Sequence, residues 1–242
     1  MLPTSAPSLP GLGWAAERQA LNLLGYSAPL PLAEPDRART VHAHNTGLPA
    51  YSRNPHVSSD KVRRMLRDPA PTTAVAALCG DGFRLWRSAF FAKSEGSREI
   101  GWHHDKHFND GDEDIGLDEL GGHYSILFGL TDITQTTGQL EMLPGSHRPV
   151  AGLERDTRPY HLRPREAHIL TDLSDDVLAM RRPVPIPAGC FVVFHSAILH
   201  RSLPHTSGGD RLGLAIRLAK PDRAIPAKLA KPQDIMPFPP PA

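Results

Sequence analysis

Two short segments of this chain carry side chains that can bind a transition metal. The first contains His103 and Asp105, and the second ends in His200. Residues two apart on a strand point to the same face, so the spacing predicts that His103 and Asp105 aim at one point while His104 faces away. With His200 as a third ligand, the set would be a 2-His-1-carboxylate facial triad, which leaves open coordination positions, as in non-haem Fe(II) oxygenases.

An H-x-D triplet by itself is weak evidence in a chain with 13 histidines, and a solvated histidine beside a surface carboxylate is the alternative. A second pattern strengthens the metal hypothesis. The segment 211–219 alternates, with leucine or isoleucine at every second position and Arg211, Gly213, Ala215 and Arg217 between them. A face with arginines at its ends and only small residues between them suits a small dianion, because a guanidinium grips a carboxylate with two hydrogen bonds.

Three segments resemble the phytanoyl-CoA dioxygenase family of Fe(II)/2-oxoglutarate oxygenases. They are 85–107 (LWRSAFFAKSEGSREIGWHHDKH), 138–147 (GQLEMLPGSH) and 189–217. The first segment is closest to the branch that includes carrier-protein-dependent halogenases and related hydroxylases. In those halogenases a small residue replaces the carboxylate ligand, whereas this chain keeps Asp105.

The resemblance implies a set of cofactors and the residues that bind them. His103, Asp105 and His200 would be the iron ligands, and Arg211 would bind the distal carboxylate of 2-oxoglutarate. Fe(II), 2-oxoglutarate and O2 are the cofactor and cosubstrates that it implies.

Further residues near these motifs have an implied role and an alternative one. Ser202 corresponds to a small hydroxyl residue near the cosubstrate carboxylate, although Arg201 and Leu203 stand where the family commonly has glycines. Lys93 corresponds to a lysine that some members use on the cosubstrate, and a solvated surface lysine is its alternative. Arg217 either orients the active site or pairs with a buried acid.

The other histidines are expected to have different roles. His195 has the opposite strand parity from His200, which favours a structural role, and His147 is expected to hold the turn that precedes it. His107 and His123 remain candidates for contacting the substrate.

Composition agrees with an intracellular enzyme of one domain, and the resemblance implies that this is a single oxygenase domain over 1–242. The formal charge of +1 indicates neither nucleic-acid nor membrane binding, so the expected partner is a small-molecule substrate, free or tethered to a carrier protein. Cys79 and Cys190 are too few for a disulfide framework. No secretory or membrane-spanning segment is visible, so the cytoplasm is the expected location; the oligomeric state is unknown.

The fold predicted from these patterns is mainly β with α decoration. Residues 1–82 are expected to be mainly helical, with helices at Trp14–Leu24, after the cap at 58–60, and from 72 or 73 to Leu78. Short apolar runs then predict many short strands over 83–220, arranged as a double-stranded β-helix, the cupin-like jelly roll; they are Phe83–Trp86, Tyr124–Leu130, Leu140–Leu143, Cys190–Phe194 and Leu212–Leu218.

Two segments are expected to lie outside the jelly roll. The acidic segment 108–122 follows a metal ligand and is expected to be a lid or, alternatively, a solvated loop. The proline-rich tail 221–242 is expected not to continue a sheet and to be either extended over the surface or disordered.

The expected activity is hydroxylation, or another oxidation, of an unactivated C–H bond in an amino acid or natural-product intermediate, with release of succinate and CO2. A cupin-type isomerase, or a metal- or ligand-binding jelly roll without oxygen chemistry, is the alternative. The isomerase or metal-binding protein has no need of an arginine placed after the distal ligand as Arg211 is, and a ligand-binding jelly roll would not need all three metal ligands.

Overall fold

The computed structural model describes residues 13–105, 122–154, 172–225 and 230–241. The described helices are α1 Trp14–Leu24, α2 Asp36–Ala43, α3 Pro55–Ser58, α4 Asp60–Leu66, α5 Pro69–Cys79 and α6 Asp175–Ala179. The described strands are β1 Leu30–Pro31, β2 Tyr51–Arg53, β3 Arg84–Lys93, β4 Ile100–His103, β5 His123–Gly129, β6 Leu140–Met142, β7 Arg182–Val184, β8 Cys190–His195, β9 His200–Ser202, β10 Arg211–Ala219 and β11 Met236–Pro237.

The strands form two antiparallel sheets that face each other. The larger sheet has the order β1-β8-β5-β10-β3-β11, with β2 also paired to β3, and the smaller sheet has the order β4-β9-β6-β7. Apolar side chains from both sheets form a shared core between them; they include Leu127, Leu140, Met142, Val184, Val192 and Phe194. The mainly β jelly roll predicted from the sequence is confirmed.

Strand β10 is central in the larger sheet, because it pairs with β5 on one side and β3 on the other. Its leucines and isoleucine pack into the core that the helices cover, as the alternation predicted; they are Leu212, Leu214, Ile216 and Leu218. Its other face looks toward the smaller sheet. The two arginines of that face, Arg211 and Arg217, therefore point into the space between the sheets.

The amino-terminal helices cover the outer face of the larger sheet. Helix α1 has the predicted bounds, and α4 begins where Ser59 accepts a hydrogen bond from the amide of Val62 at 3.4 Å. Helix α5 begins at Pro69, earlier than predicted, because the Asp68 side chain accepts from the amide of Ala70 at 2.9 Å and caps the first turn. Helices α2, α3 and α6 and the strands β1 and β2 were not predicted.

Two other sequence predictions need correction. The strand predicted at 83–86 is β3, which continues to Lys93 because both of its edges are paired, with β10 on one side and β2 and β11 on the other. The prediction that the tail cannot continue a sheet is wrong: β11 pairs with β3, with Pro237 opposite Arg84. An edge position tolerates proline because no amide hydrogen is required there, and the buried Phe238 fixes the segment to the core.

The predicted lid at 108–122 lies outside the described residues except for Gly122, as does His107. None of the described helices is both long and apolar enough to cross a membrane.

Candidate metal centre

Two of the predicted ligands lie directly opposite each other in the smaller sheet. His103 ends β4 and His200 begins β9, and their ring centroids are 4.2 Å apart. In each ring Nδ1 lies within hydrogen-bond distance of the carbonyl two residues earlier, at 2.8 Å from Gly101 and 3.1 Å from Ile198. A carbonyl can only accept, so Nδ1 carries the hydrogen and the lone pair of Nε2 is left to bind a metal.

The third predicted ligand, Asp105, is held by the larger sheet. The prediction that it shares a strand with His103 is wrong, because β4 ends at His103. The Arg217 guanidinium donates to Oδ1 of Asp105 at 2.5 Å, and the Ser125 hydroxyl donates to Oδ2 at 2.9 Å. Ser125 also lies 3.1 Å from the Ser196 hydroxyl. These contacts turn the carboxylate back toward the histidines.

Electrostatics favour the ionised form of Asp105 and the neutral form of His200. Burial alone would raise the pKa of the Asp105 carboxyl, but Arg217 and the two histidines outweigh it and hold that pKa below its usual range. Burial and the neighbouring His103 lower the pKa of His200 to about 4. Asp105 and His200 therefore present the protonation states that metal coordination requires.

One atom from each of His103, Asp105 and His200 lies within 4.8 Å of the others. Two imidazole nitrogens and one carboxylate oxygen on one side of a cavity form the donor set that suits Fe(II) with open positions. No other group of three potential ligands occurs in the described part of the chain. The neighbouring His104 is buried and, as predicted, is not a member of the cluster.

The cluster lies at the wall of a cavity between the two sheets. Polar side chains line one part of it: His103, Asp105, His200, Ser202, Arg211 and Arg217. The remaining walls are apolar: Phe91, Ile100, Leu127, Leu140, Phe194 and Ala215.

Arg211 has unused hydrogen-bonding capacity inside this cavity. It is 2% exposed, its Nε has no hydrogen-bond partner, and no described carboxylate lies within 4.0 Å of it. Burial lowers its pKa to about 10. Gly213 keeps the space beside it open, because a Cβ there would lie 3.1 Å from Leu127 Cδ1 and 3.6 Å from Nη2 of Arg211. A buried cation without a counter-ion fits an anionic ligand.

Ser202 and Lys93 lie near Arg211 but differ in what they contact. The Ser202 hydroxyl is buried, lines the cavity and has no hydrogen-bond partner in the described part of the chain. Lys93 stands opposite Arg211 in the β3–β10 pair, and its Nζ donates to the carbonyls of Leu203 at 2.6 Å and Arg98 at 3.0 Å. Burial, and secondarily the charge of Arg211, lower the pKa of Lys93 to about 8.

Three other histidines that the sequence singled out are described, and none of them belongs to the cluster. The ring of His195 contacts the rings of Tyr124 and His147, with centroids 5.4 Å away in each case. His147 is within hydrogen-bond distance of the Asn22 carbonyl, at 3.1 Å, which links the turn at 144–147 to α1. His123 is buried at the start of β5 and does not line the cavity.

Sequence reasoning missed the two serines that support Asp105. Ser125 lies inside the otherwise apolar middle of β5, and Ser196 follows β8. A single hydroxyl in a buried strand is the signal that points to such a role, because a buried hydroxyl needs a partner.

A jelly roll with a facial His-Asp-His cluster and a buried arginine defines a class of enzyme, the non-haem iron and 2-oxoglutarate-dependent dioxygenases. The profile of the phytanoyl-CoA dioxygenase (PhyH) family matches residues 27–213, and the chain belongs to this family. The class uses iron and 2-oxoglutarate, and the metal centre and the unpartnered Arg211 described above fit both.

Comparisons with individual proteins agree with this assignment. The chain is 31% identical over 128 residues to L-proline trans-4-hydroxylase of Streptomyces griseoviridis; the match covers 48% of this chain and 46% of that protein, so it spans about half of each. The epimerase SnoN, solved with Fe3+, alpha-ketoglutarate and nogalamycin RO, has a TM-score of 0.65 at 18% identity, covering 86% of this chain and 84% of SnoN. AviO1 from Streptomyces viridochromogenes Tue57 has a TM-score of 0.65 at 19% identity, covering 90% and 99%. At these identities the two structures support the fold alone.

Proposed function

We propose that this protein hydroxylates, or otherwise oxidises, an unactivated C–H bond of a small metabolite such as an amino acid or natural-product intermediate, releasing succinate and CO2. One observation carries the proposal: the His-Asp-His cluster and an unpartnered buried arginine line the same cavity. An isomerase or a metal-binding jelly roll would use the cluster but has no need of Arg211, and a ligand-binding jelly roll would not need all three metal ligands.

His103, Asp105 and His200 are the proposed iron ligands. Arg211 and the Ser202 hydroxyl are the proposed donors to the distal carboxylate of 2-oxoglutarate, since both have buried polar atoms without partners. When bound, iron and 2-oxoglutarate together supply the activation of O2.

The chain's own residues do the positioning. Arg217 and Ser125 each occupy one oxygen of Asp105 and so limit the directions from which it can bind a metal. Lys93 is proposed to act on the cosubstrate through its charge and by holding the carbonyl of Leu203, directly after Ser202. The apolar walls exclude water from the reacting atoms.

The relative named above suggests the first substrate to test, a free amino acid such as L-proline. A substrate tethered to a carrier protein is the second possibility, and we place the activity in the cytoplasm. The presence of Asp105 favours hydroxylation or another halide-free oxidation over halogenation, because a halide would need the coordination position that this carboxylate fills.

The deciding experiment measures succinate from 2-oxoglutarate in air, with and without added Fe(II). We expect iron-dependent succinate from the unaltered protein, including slow turnover without substrate, and none from His200→Ala. With a true substrate and excess chloride, the product should gain one oxygen or lose two hydrogens. Iron-independent succinate, or none at all, would refute the oxygenase proposal, and a chlorinated product would remove Asp105 from the ligand set.

A further inference from the structure

The inner face of β3 carries a cation that the proposed cofactor site does not use. Arg87 lies directly opposite Arg217 in the β3–β10 pair, and side chains opposite each other share a face. Their Cα atoms are about 5 Å apart in such a ladder. Arg87 therefore starts one strand away from the residue that contacts Asp105, on the side of the sheet that faces the cavity.

Arg87 is only partly satisfied. Its Nη2 donates to the Tyr51 hydroxyl at 2.7 Å, while its Nη1 is buried and has no hydrogen-bond partner. No carboxylate of the described ranges lies within 4.0 Å of it. A guanidinium held at one nitrogen and unoccupied at the next is oriented to receive an oxyanion.

Tyr51 supplies a second donor at the same place. Its oxygen accepts from Arg87, so its own hydrogen is available to donate. The ring is fixed by an edge-on contact with Phe91, at 5.2 Å between centroids and 61° between planes, and Phe91 lines the metal cavity. The guanidinium carbon of Arg53 lies over the Tyr51 ring, 5.7 Å from its centroid, and adds positive charge.

The balance of charge on this face also calls for another anion. Four cations lie on the inner face of β3 and β10, namely Arg87, Lys93, Arg211 and Arg217. Asp105 is the sole acid among the described residues that line the cavity. Asp105 and a dianionic cosubstrate supply three negative charges against these four cations and the two charges of Fe(II), so positive charge remains. Among the four side chains, Arg87 is the one without an assigned anion.

We propose that Arg87 and Tyr51 bind an oxyanion group of the substrate, a carboxylate or a phosphate, and so determine which substrates place a C–H bond near the metal centre. The proposal rests on the proposed function, because it takes the cluster as the reaction centre. A free amino acid would supply a carboxylate, and a carrier-bound or phosphorylated substrate would supply a phosphate.

The test is anion binding followed at individual arginine side chains. The full chain, with zinc in place of iron and 2-oxoglutarate at saturation, is labelled with 15N-arginine and titrated with acetate and, separately, with methyl phosphate. Arg87→Gln identifies the Nε–H signal of Arg87, and Arg98→Gln identifies an exposed control arginine. Saturating 2-oxoglutarate occupies Arg211, so the titration reports anion binding at sites other than Arg211.

We expect the Arg87 signal to shift saturably with at least one of the two anions, while the Arg98 signal changes little. If acetate binds more tightly than methyl phosphate, the substrate group is a carboxylate. If methyl phosphate binds more tightly, the substrate group is a phosphate. Tyr51→Phe should weaken the binding at least about threefold through loss of one donor. An Arg87 signal that responds to neither anion, or only in parallel with Arg98, overturns the proposal.

Failure of the anion-binding test and failure of the proposed oxygenase function can be distinguished. Anion binding is measured without turnover, whereas the proposed function fails if iron and 2-oxoglutarate yield no succinate. Binding at Arg87 without succinate formation would therefore leave the anion site standing and remove the oxygenase chemistry.

Discussion

The two arginines on the inner face of β10 have opposite surroundings. Arg211, at the start of the strand, faces the cation Lys93 across the ladder and has no acidic partner in the described ranges. Arg217, near the other end, also faces a cation, Arg87, but its guanidinium bonds to Asp105. Both are shielded from solvent and both line the same cavity.

Their difference shows that a neighbouring segment, and not the residue type or strand position, determines what a buried arginine does. The segment that follows β4 brings Asp105 to Arg217. The Arg217 guanidinium therefore pairs with Asp105 and positions this metal ligand. Within the described ranges no acid reaches Arg211, so its charge is available for a ligand. The comparison predicts opposite effects on stability and binding when each arginine is removed.

The largest expected effect is on stability, from Arg217→Ala. Removing one partner of a buried ion pair leaves Asp105 uncompensated, which costs about 3–5 kcal/mol in the free energy of unfolding. Urea unfolding of the metal-free protein measures this. Zinc should restore part of the loss, because the cation replaces the missing charge beside Asp105. A loss under about 1 kcal/mol would mean that the pair is not formed in solution.

Arg211→Gln should act on binding and not on stability. Loss of a charge-assisted bidentate contact, worth on the order of 1.5–3 kcal/mol, should raise KM for 2-oxoglutarate at least about tenfold. Metal affinity should change little, and the protein should unfold no more easily, because the variant removes a buried cation that has no acidic partner in the described ranges. Steady-state succinate formation provides the measurement. An unchanged KM, or an equal rise in Arg217→Ala alone, would transfer the anchoring role to Arg217.

Ser202→Ala tests the part of the cavity that Ser202 of β9 and Arg211 both line. Its hydroxyl is buried without a partner, so we expect it to donate to the carboxylate that Arg211 binds. Removing it should raise KM for 2-oxoglutarate about fivefold with little change in kcat. Ser94→Ala, at an exposed serine just beyond β3, is the matched control. Equal KM values for the two variants would exclude Ser202 from the cosubstrate site.

The smallest expected effect is a pH dependence from Lys93, whose pKa is lowered to about 8. Below that pH the side chain is charged and supports the anion beside Arg211; above it the charge is lost. KM for 2-oxoglutarate should therefore rise about threefold as the pH passes through 8, and Lys93→Met should remove that rise. If KM for 2-oxoglutarate still rises through pH 8 in Lys93→Met, a group other than Lys93 causes the pH dependence.

The same shift has a defined sign for stability. Because the folded pKa lies below the ordinary value for lysine, the unfolded chain binds more protons between about pH 8 and 10.4. Lys93 therefore destabilises the fold at lower pH, and this cost diminishes as the pH rises through that window.

Sequence patterns predicted those features that depend on local spacing. The alternation over 211–219 predicted both faces of β10 because a central strand has a defined core side and cavity side. The family resemblance implied His103, Asp105 and His200 as one ligand set, and the structure does bring these three residues together.

Features that depend on distant partners were not predictable in this way. Asp105 lies beyond the end of β4, and its orientation comes from Ser125 and Arg217 on other strands. The pairing of β11 with β3 depends on a free sheet edge, which no local pattern in the proline-rich tail reveals. The same holds for the anion-binding arrangement of Arg87 and Tyr51.

The metal cluster also connects the two sheets. His103 and His200 belong to the smaller sheet, whereas Asp105 is tied to β5 and β10 of the larger one. An ion bound by all three is thus a cross-link between the two layers of the jelly roll, and separating the layers would require its release. Amide hydrogen exchange in β4 and β9 should accordingly slow when the ion binds, while β10, paired on both sides, exchanges only when the whole protein unfolds.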